Sequence, residues 1–207
     1  MLRKLMVVAV AMSSLFVPSQ AAQAASEVTP FIGGSVPTKS LIIQSSGPAI
    51  YRNKTHTVYG VGIGTSLSER LGVELVLGAG TGSIEVVSIE VLELASTLLF
   101  ADVRGSFRII GDDQAGIGIV GGVGYTTQRI SLFDYASLAD AGEFKGKLTG
   151  ILGLGFDMEV TNRIGLSVDM VDRIRQQGIE VEGATGLNEP TQHDVTITAG
   201  LSFPLSK

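Results

Sequence analysis

The chain contains two histidines, His56 and His193, and no cysteine. Asp194 directly follows His193 and serines are frequent, so a Ser-His-Asp arrangement for acyl transfer is the first catalytic chemistry to consider. Neighbouring residues of a β-strand point to opposite faces, however, so the side chains of His193 and Asp194 would not meet. The lack of cysteine excludes a thiol nucleophile and a thiolate metal site. We therefore expect no catalytic residue, no metal site and no cofactor.

The glycines between Gly116 and Gly124 resemble a phosphate-binding loop only in composition. No helical pattern follows them, and the lysine that a P-loop requires is missing. We instead expect these glycines to relieve crowding on the inner side of a curved sheet.

Charged residues alternate with apolar ones along much of the chain, and Leu99–Ile109 shows this pattern most clearly. Its odd positions are apolar or glycine, whereas its even positions include Asp102, Arg104 and Arg108. A period of two indicates a strand with one apolar and one polar face. In a soluble sheet the apolar face meets a core, whereas in a closed membrane barrel it meets lipid and the polar face lines the lumen. The stretch by itself fits both arrangements.

Residues 1–24 have the features of a secretory signal peptide. Arg3 and Lys4 precede an apolar run from Leu5 to Val17, and small residues surround the expected cleavage position after Ala24. The run is shorter than the about 20 residues that a membrane-spanning helix needs. No later segment is apolar for about 18 consecutive residues, which excludes a helical membrane protein. The sequence thus predicts a signal peptide over residues 1–24 and one domain over residues 25–207.

Eight segments of the predicted domain carry the period-two pattern, and short and long connections alternate strictly between them. The segments are 27–34, 56–65, 71–80, 99–109, 116–128, 147–159, 164–175 and 193–205. The long connections are 35–55, 83–96, 131–144 and 176–192, and we expect local pairing of residues 41–43 within the first. A hairpin in the first or second connection would raise the count to ten strands. The pattern predicts an all-β fold, an eight-stranded antiparallel up-and-down transmembrane β-barrel with short periplasmic turns and long external loops.

In this pattern the chain resembles the small eight-stranded outer-membrane barrels of bacteria, the family that includes the outer membrane protein A barrel domain and the opacity-type surface proteins. The resemblance covers most of the chain after residue 24 and implies a location in the bacterial outer membrane. Such barrels share a C-terminal assembly signal, polar-x-Gly-x-x-apolar-x-aromatic, which the barrel assembly machinery recognises. Thr198, Gly200, Phe203 and Leu205 match its places, although Leu205 stands where an aromatic residue is usual. The resemblance implies outer-membrane lipid, lipopolysaccharide and the assembly machinery as partners.

Ten charged residues fall on the predicted inner faces of the strands. An eight-stranded barrel is just wide enough for its interior to be filled by side chains. We therefore interpret these residues as an ion-paired network that closes the lumen, with a narrow pore lined by the same charges as the alternative. The predicted network consists of Glu74, Asp102, Arg104, Arg108, Lys147, Asp157, Glu159, Asp169, Arg173 and Arg175.

The segments 83–96, 131–144 and 176–192 contain nine acidic residues and no basic one. They are Glu85, Glu90, Glu93, Asp134, Asp140, Glu143, Glu180, Glu182 and Glu189. Removal of Arg3 and Lys4 from the 15 basic residues leaves 13 against 20 acidic ones, a net charge of −7, so we expect no nucleic-acid partner.

The acidic segments favour envelope or surface interactions through the external loops, with a loop partner that the sequence does not identify. The predicted function is therefore non-enzymatic. The alternatives, besides the pore, are an outer-leaflet lipid-modifying enzyme that would use His193 and a soluble barrel that carries an apolar ligand.

Overall fold

A computed structural model gives the fold of the chain and describes residues 26–38, 41–42, 50–87, 91–112, 114–131, 144–161, 163–176 and 191–205. The predicted signal peptide lies outside these residues. The structure describes ten β-strands: β1 (Ser26–Pro37), β2 (Leu41–Ile42), β3 (Ile50–Asn53), β4 (His56–Ser66), β5 (Leu71–Val87), β6 (Val91–Gly111), β7 (Ala115–Ser131), β8 (Phe144–Thr161), β9 (Ile164–Gln176) and β10 (Thr191–Pro204). Within these ranges, no helix has the length and apolar character needed to cross a membrane.

Eight of the strands form a closed antiparallel wall, which confirms the predicted barrel. Each strand pairs with its neighbours in the chain, and β1 pairs with β10 on one side and with β4 on the other. The two additional strands, β2 and β3, form a hairpin in the first long connection. β3 pairs with the end of β5, residues 84–87, beyond the part of β5 that pairs with β4. The expected local pairing of Leu41 and Ile42 is confirmed, and the hairpin adds no strand to the barrel wall.

The ladder pairs also give the stagger of the wall. Thr57 on β4 pairs directly with Thr81 on β5. If the ladder partners are instead followed from Thr57 around the other strands of the wall, the last partner on β5 is Leu71, ten residues before Thr81. The residues on that path are Gly34, Ile197, Met170, Leu154, Ile119 and Phe107. A closed wall with such a stagger requires tilted strands, typically by about 35–45° to the barrel axis.

The two ends of the barrel differ as the sequence predicts. The three short turns lie at the same end as Ser26 and Leu205, where the backbone N–H of Leu205 donates to the carbonyl of Ser26 at 2.7 Å. In the turn between β6 and β7, the side chain of Asp112 accepts hydrogen bonds from two backbone N–H groups. The strand ends that flank the long connections lie at the opposite end, which is the external end of an outer-membrane barrel.

The second long connection is much shorter than predicted. The sequence predicts a long connection over residues 83–96, but β5 continues to Val87 and β6 begins at Val91. Regular pairing runs from Ser83 with Ala95 to Val87 with Val91. Buried and exposed side chains still alternate in this stretch, where Ile84 is fully buried and Glu93 is exposed. The two strands are therefore longer than a bilayer requires.

The two faces of each strand have opposite environments. On β6, Leu99 and Phe107 are 41% and 49% exposed on the outer face, whereas Asp102 and Arg104 are buried in the interior. The outer faces of β8 and β10 are likewise aliphatic and exposed. The barrel therefore has an apolar exterior and a charged interior, the arrangement of a membrane-spanning barrel rather than of a soluble one.

Candidate functional site

Four charged side chains meet in the middle of the lumen. Arg173 on β9 donates two hydrogen bonds to Asp102 on β6, Nη1–Oδ1 at 3.0 Å and Nη2–Oδ2 at 2.6 Å. Arg104 donates from Nη2 to the same Asp102 Oδ2 at 3.0 Å and from Nη1 to Asp169 Oδ2 at 3.3 Å. One carboxylate thus accepts hydrogen bonds from two guanidinium groups, and Asp169 supplies the second negative charge. We call Asp102, Arg104, Asp169 and Arg173 the central network.

The strand geometry explains this meeting. Asp102 and Arg104 are two residues apart on β6 and therefore share the inner face, as do Asp169 and Arg173 on β9. Since β6 and β9 are not neighbours in the wall, the contacts cross the lumen. The guanidinium of Arg173 also lies over the ring of Phe100, 3.9 Å from its centroid. This cation–π contact joins the network to the apolar side chains around it.

Two apolar clusters fill the lumen beside the central network. The first consists of Val58, Val76, Leu98 and Phe100, with Phe31 packed against them, and the second of Val120, Ile151 and Val171. These residues are not part of the network predicted from the charges. Each lies at an inward-facing position of its strand, so the alternation of the strands could have identified them.

A second polar layer lies toward the external end. Arg175 Nη2 is 2.9 Å from Asp194 Oδ2, and Gln192 Nε2 donates to Asp194 Oδ1 at 3.0 Å. Arg175 belongs to the predicted network, whereas Asp194 was considered only as a partner of His193. As predicted, His193 and Asp194 point to opposite faces of β10, which places the Asp194 side chain in the lumen beside Arg175.

His56 belongs to the same external layer. Its Nδ1 lies 2.9 Å from the carbonyl oxygen of Lys54, and its Nε2 lies 3.2 Å from Ser96 Oγ. Gln128 Nε2 donates to the same Ser96 Oγ at 2.7 Å. His56, Ser96 and Gln128 are all buried, so these bonds complete the packing of the external layer.

A cavity of about 410 Å³ opens at the end that carries the short turns. It reaches inward to Arg104 and Asp169 of the central network. Of the other predicted network residues, Glu74, Arg108, Asp157 and Glu159 line this cavity. Lys147 lies apart from it on β8, where its carbonyl accepts a hydrogen bond from Thr149. The predicted ten residues therefore divide among the central network, the external layer, the cavity and Lys147.

The structure places the predicted assembly-signal residues on the last strand. Thr198 and Gly200 are buried on the inner face of β10, whereas Phe203 and Leu205 are exposed on the outer side. The alternating placement follows from the strand parity.

Among the described residues of the whole chain, no group of three or more His, Asp or Glu side chains could hold a metal ion.

His193 lies on the outer face of β10 and contacts Asp172 on β9. The distance between His193 Nδ1 and Asp172 Oδ2 is 2.8 Å. Sequence reasoning missed this pair because Asp172 is 21 residues away and is brought to His193 only by the β9–β10 register.

The comparison with known proteins agrees with this architecture. The family model described as the outer membrane protein beta-barrel domain matches residues 7–203. A search of the curated proteins finds no match. The crystal structure of the outer membrane protein OprG from Pseudomonas aeruginosa is similar, with a TM-score of 0.63 at 16% identity, over 89% of this chain and 97% of that one.

Two further solved structures share the fold. Neisserial surface protein A aligns with a TM-score of 0.56 at 8% identity, over 89% of this chain and 100% of that one. The outer membrane protein AlkL, solved in lipid bilayers, aligns with a TM-score of 0.52 at 13% identity, over 92% of this chain and 96% of that one. Because the family model spans nearly the whole sequence, the chain belongs to the outer membrane protein β-barrel domain family and is a bacterial outer-membrane protein.

Proposed function

We propose that this protein is a non-enzymatic outer-membrane barrel with a closed lumen, which acts through envelope or surface interactions of its external loops. The observation that carries the closed lumen is the bidentate contact between Arg173 and Asp102 across the barrel interior. The apolar clusters surround this contact, and the Arg175–Asp194 pair covers it on the external side.

Electrostatics supports closure at this level. Asp102 and Arg173 are both almost completely buried, so a passing ion would have to separate them in a medium of low dielectric constant. Removal of one partner from such a pair typically costs about 3–5 kcal/mol. The cavity admits solvent from the periplasmic end only as far as Arg104 and Asp169.

Outer-membrane lipid and lipopolysaccharide are the proposed surroundings of the apolar outer face, and the barrel assembly machinery is the proposed partner of the last strand. The acidic external segments are the proposed interaction surface. Among the acidic residues of that surface, Glu85 lies 3.1 Å from Lys54, and Glu93 accepts a hydrogen bond from Ser83 at 2.5 Å. The extended β5–β6 hairpin would carry these two residues beyond the bilayer.

Single-channel recording in planar bilayers tests the closed lumen. Membrane fractionation and a heat-modifiability gel first establish that the full chain is inserted and folded. We expect no current steps from the natural protein. We expect measurable steps from the double variant Phe100→Ala/Arg173→Ala, since it removes both the ring and the guanidinium that lies over it.

Leu99→Ala is the matched control, because it shortens a neighbouring side chain on the outer face and should leave the barrel non-conducting. A reproducible large current from the natural protein would overturn the proposal in favour of a pore. A silent double variant that is folded would show that Phe100 and Arg173 are not the barrier.

A further inference from the structure

The contact between Asp172 and His193 is a polar site on the lipid-facing side of the wall. Asp172 lies on the same face of β9 as Met170, and His193 lies on the same face of β10 as Ile197. Met170 and Ile197 are both about half exposed on the outer face of the barrel. The side chains of Asp172 and His193 are themselves 33% and 35% exposed. By contrast, the acidic and basic groups of the central network and of the Arg175–Asp194 pair face the lumen.

The height of the pair follows from the strand geometry. His193 is twelve residues from Leu205 on β10, and Asp172 is the ladder partner of Val195, which is ten residues from Leu205. With a rise of about 3.3 Å per residue and a tilt of about 40°, these two positions lie about 30 Å and about 25 Å above the periplasmic end of β10. The apolar band of such a barrel is about 25 Å tall. The Asp172–His193 pair therefore spans the boundary between acyl chains and headgroups in the outer leaflet.

The backbone fixes His193 at this position. Thr38 donates to the carbonyl oxygen of His193 from its backbone N at 2.8 Å and from Oγ1 at 2.9 Å. On the other side, His193 is the ladder partner of Ile174. Residue 193 is thus held on one side by Thr38, directly after β1, and on the other side by β9, and the ring has a defined direction relative to the wall.

The chemistry of the ring indicates what it can bind. Asp172 occupies Nδ1, and within the described residues no hydrogen bond joins His193 Nε2 to another group. The two nitrogens lie on opposite sides of the ring, so Nε2 is directed away from Asp172. In the imidazolium form, Nε2–H is a charge-assisted donor, and phosphate oxygens are strong acceptors for such a donor.

We propose that the Asp172–His193 pair binds the phosphate of an outer-leaflet lipid headgroup, with His193 Nε2–H as donor and Asp172 as the group that orients the ring. The inference deepens the proposed function, since it rests on lipid surrounding the barrel, and it is independent of whether the lumen conducts. Asp172 does not contact the phosphate in this arrangement and is a positioning residue. The lipid phosphate has two sources, the phosphomonoester of lipid A and the phosphodiester of a phospholipid.

Nuclear magnetic resonance of the side-chain nitrogens tests the site, because the chain has only two histidines. The untagged, folded barrel with ¹⁵N-labelled histidine is titrated in detergent with bisphosphorylated lipid A, with dephosphorylated lipid A and with phosphatidylglycerol. We expect phosphorylated lipid to shift the Nε2 resonance of His193, while that of buried His56 serves as the internal reference and stays in place. The variant His193→Ala assigns the signal by its loss.

Variants of the two residues test the donor role of His193 and the positioning role of Asp172 separately. Asp172→Asn should weaken the lipid affinity at least tenfold while the barrel stays heat-modifiable, and His193→Arg should retain binding because it keeps a cationic donor. Thr191→Ala, one outward position further along β10, is the matched control and should bind within twofold of the natural protein.

A shift with lipid A alone identifies the phosphomonoester, and an equal shift with phosphatidylglycerol identifies phosphate of either source. An unmoved His193 resonance, an equal shift with dephosphorylated lipid A, or unchanged affinity in Asp172→Asn overturns the proposal. Each of these results leaves the conductance test of the closed lumen unaffected.

Discussion

Arg173 and Asp102 lie 71 positions apart in the sequence, yet their side chains form two parallel hydrogen bonds across the barrel interior, at 3.0 and 2.6 Å. The same Asp102 carboxylate also accepts from Arg104. Its removal would leave one guanidinium with no carboxylate in this network and the other with Asp169 alone. Asp102 is therefore the residue on which the central network depends most.

Replacement of Asp102 by Ala should lower the free energy of unfolding by about 3–5 kcal/mol, because it leaves buried positive charge uncompensated. Urea titration of the barrel in lipid vesicles measures the change. Glu159→Ala is the matched control, since Glu159 is an exposed carboxylate of the cavity and its loss should change stability by no more than about 0.5 kcal/mol.

The second variant Asp102→Ala/Arg173→Met should recover part of the lost stability, because it also removes the stranded guanidinium. If the single variant unfolds at the same urea concentration as the natural protein, the pair contributes specificity of packing rather than stability.

Glycines on the inner face should be less replaceable than glycines on the outer face. A Cβ on Gly78 would collide with the ring of Phe100, whereas a Cβ on Gly105 would approach no atom closer than 3.9 Å. Gly78→Ala should therefore destabilise the barrel by about 1–3 kcal/mol through overpacking. Gly105→Ala should be neutral or stabilise it by about 0.4–1 kcal/mol, because alanine restricts the unfolded chain. Equal losses in the two variants, measured by urea titration, would contradict this interpretation.

The turn at Asp112 should contribute stability that depends on pH. The backbone N–H groups of Ala115 and Gln114 donate to its carboxylate and hold the pKa of Asp112 below its ordinary value of 3.8. A carboxyl with a lowered pKa in the folded state stabilises above the unfolded value, and that contribution disappears as the pH falls through the folded value. The stability difference between the natural protein and Asp112→Ala should thus become smaller as the pH falls below 3.8.

Asp112→Asn is the control for this turn, since its amide oxygen still accepts the hydrogen bonds but carries no titrating charge. Its stability relative to Asp112→Ala should not depend on pH between neutrality and pH 3, the range over which unfolding of all three proteins is compared. A constant difference between the natural protein and Asp112→Ala over that range would argue against the turn carboxylate.

The last strand should be a suboptimal assembly signal because of Leu205. Leu205→Phe should accelerate insertion by purified assembly machinery in proteoliposomes, and Phe203→Ala should slow it. Both residues are exposed on the outer side of the barrel, so neither change disturbs the lumen. The outward residue Leu201 provides the control, as Leu201→Ala should insert at the natural rate. Equal rates for all four proteins would show that the machinery does not use these positions.

Strand parity accounts for what the sequence could predict. A period of two assigns Asp102 and Arg104 to the interior and His193 to the exterior, because successive side chains of a strand can point in only two directions. The same rule separated His193 from Asp194. Parity also explains why the fold class and the number of wall strands were predictable.

Depth and register account for what the sequence could not predict. The alternation of a strand shows that Arg173 faces the lumen. It does not show which acidic residue, Asp102 or Asp157, lies at the same height along the barrel axis as Arg173. The Arg175–Asp194 and Asp172–His193 contacts likewise depend on how β9 pairs with β10. The extension of β5 to Val87 was missed because its acidic residues suggested a solvated loop, whereas the outer face of a strand above the bilayer is also solvated.

The one-sided opening of the interior gives its charges two different ionic environments. Glu74 and Asp157 border the cavity that opens at the periplasmic end, so mobile ions of the periplasm screen them over a Debye length of about 10 Å at 0.1 M salt. Arg175 and Asp194 are sealed from the same ions by the packed layers between. A change in periplasmic ionic strength would therefore alter the electrostatics of the lower barrel and leave the upper ion pair untouched.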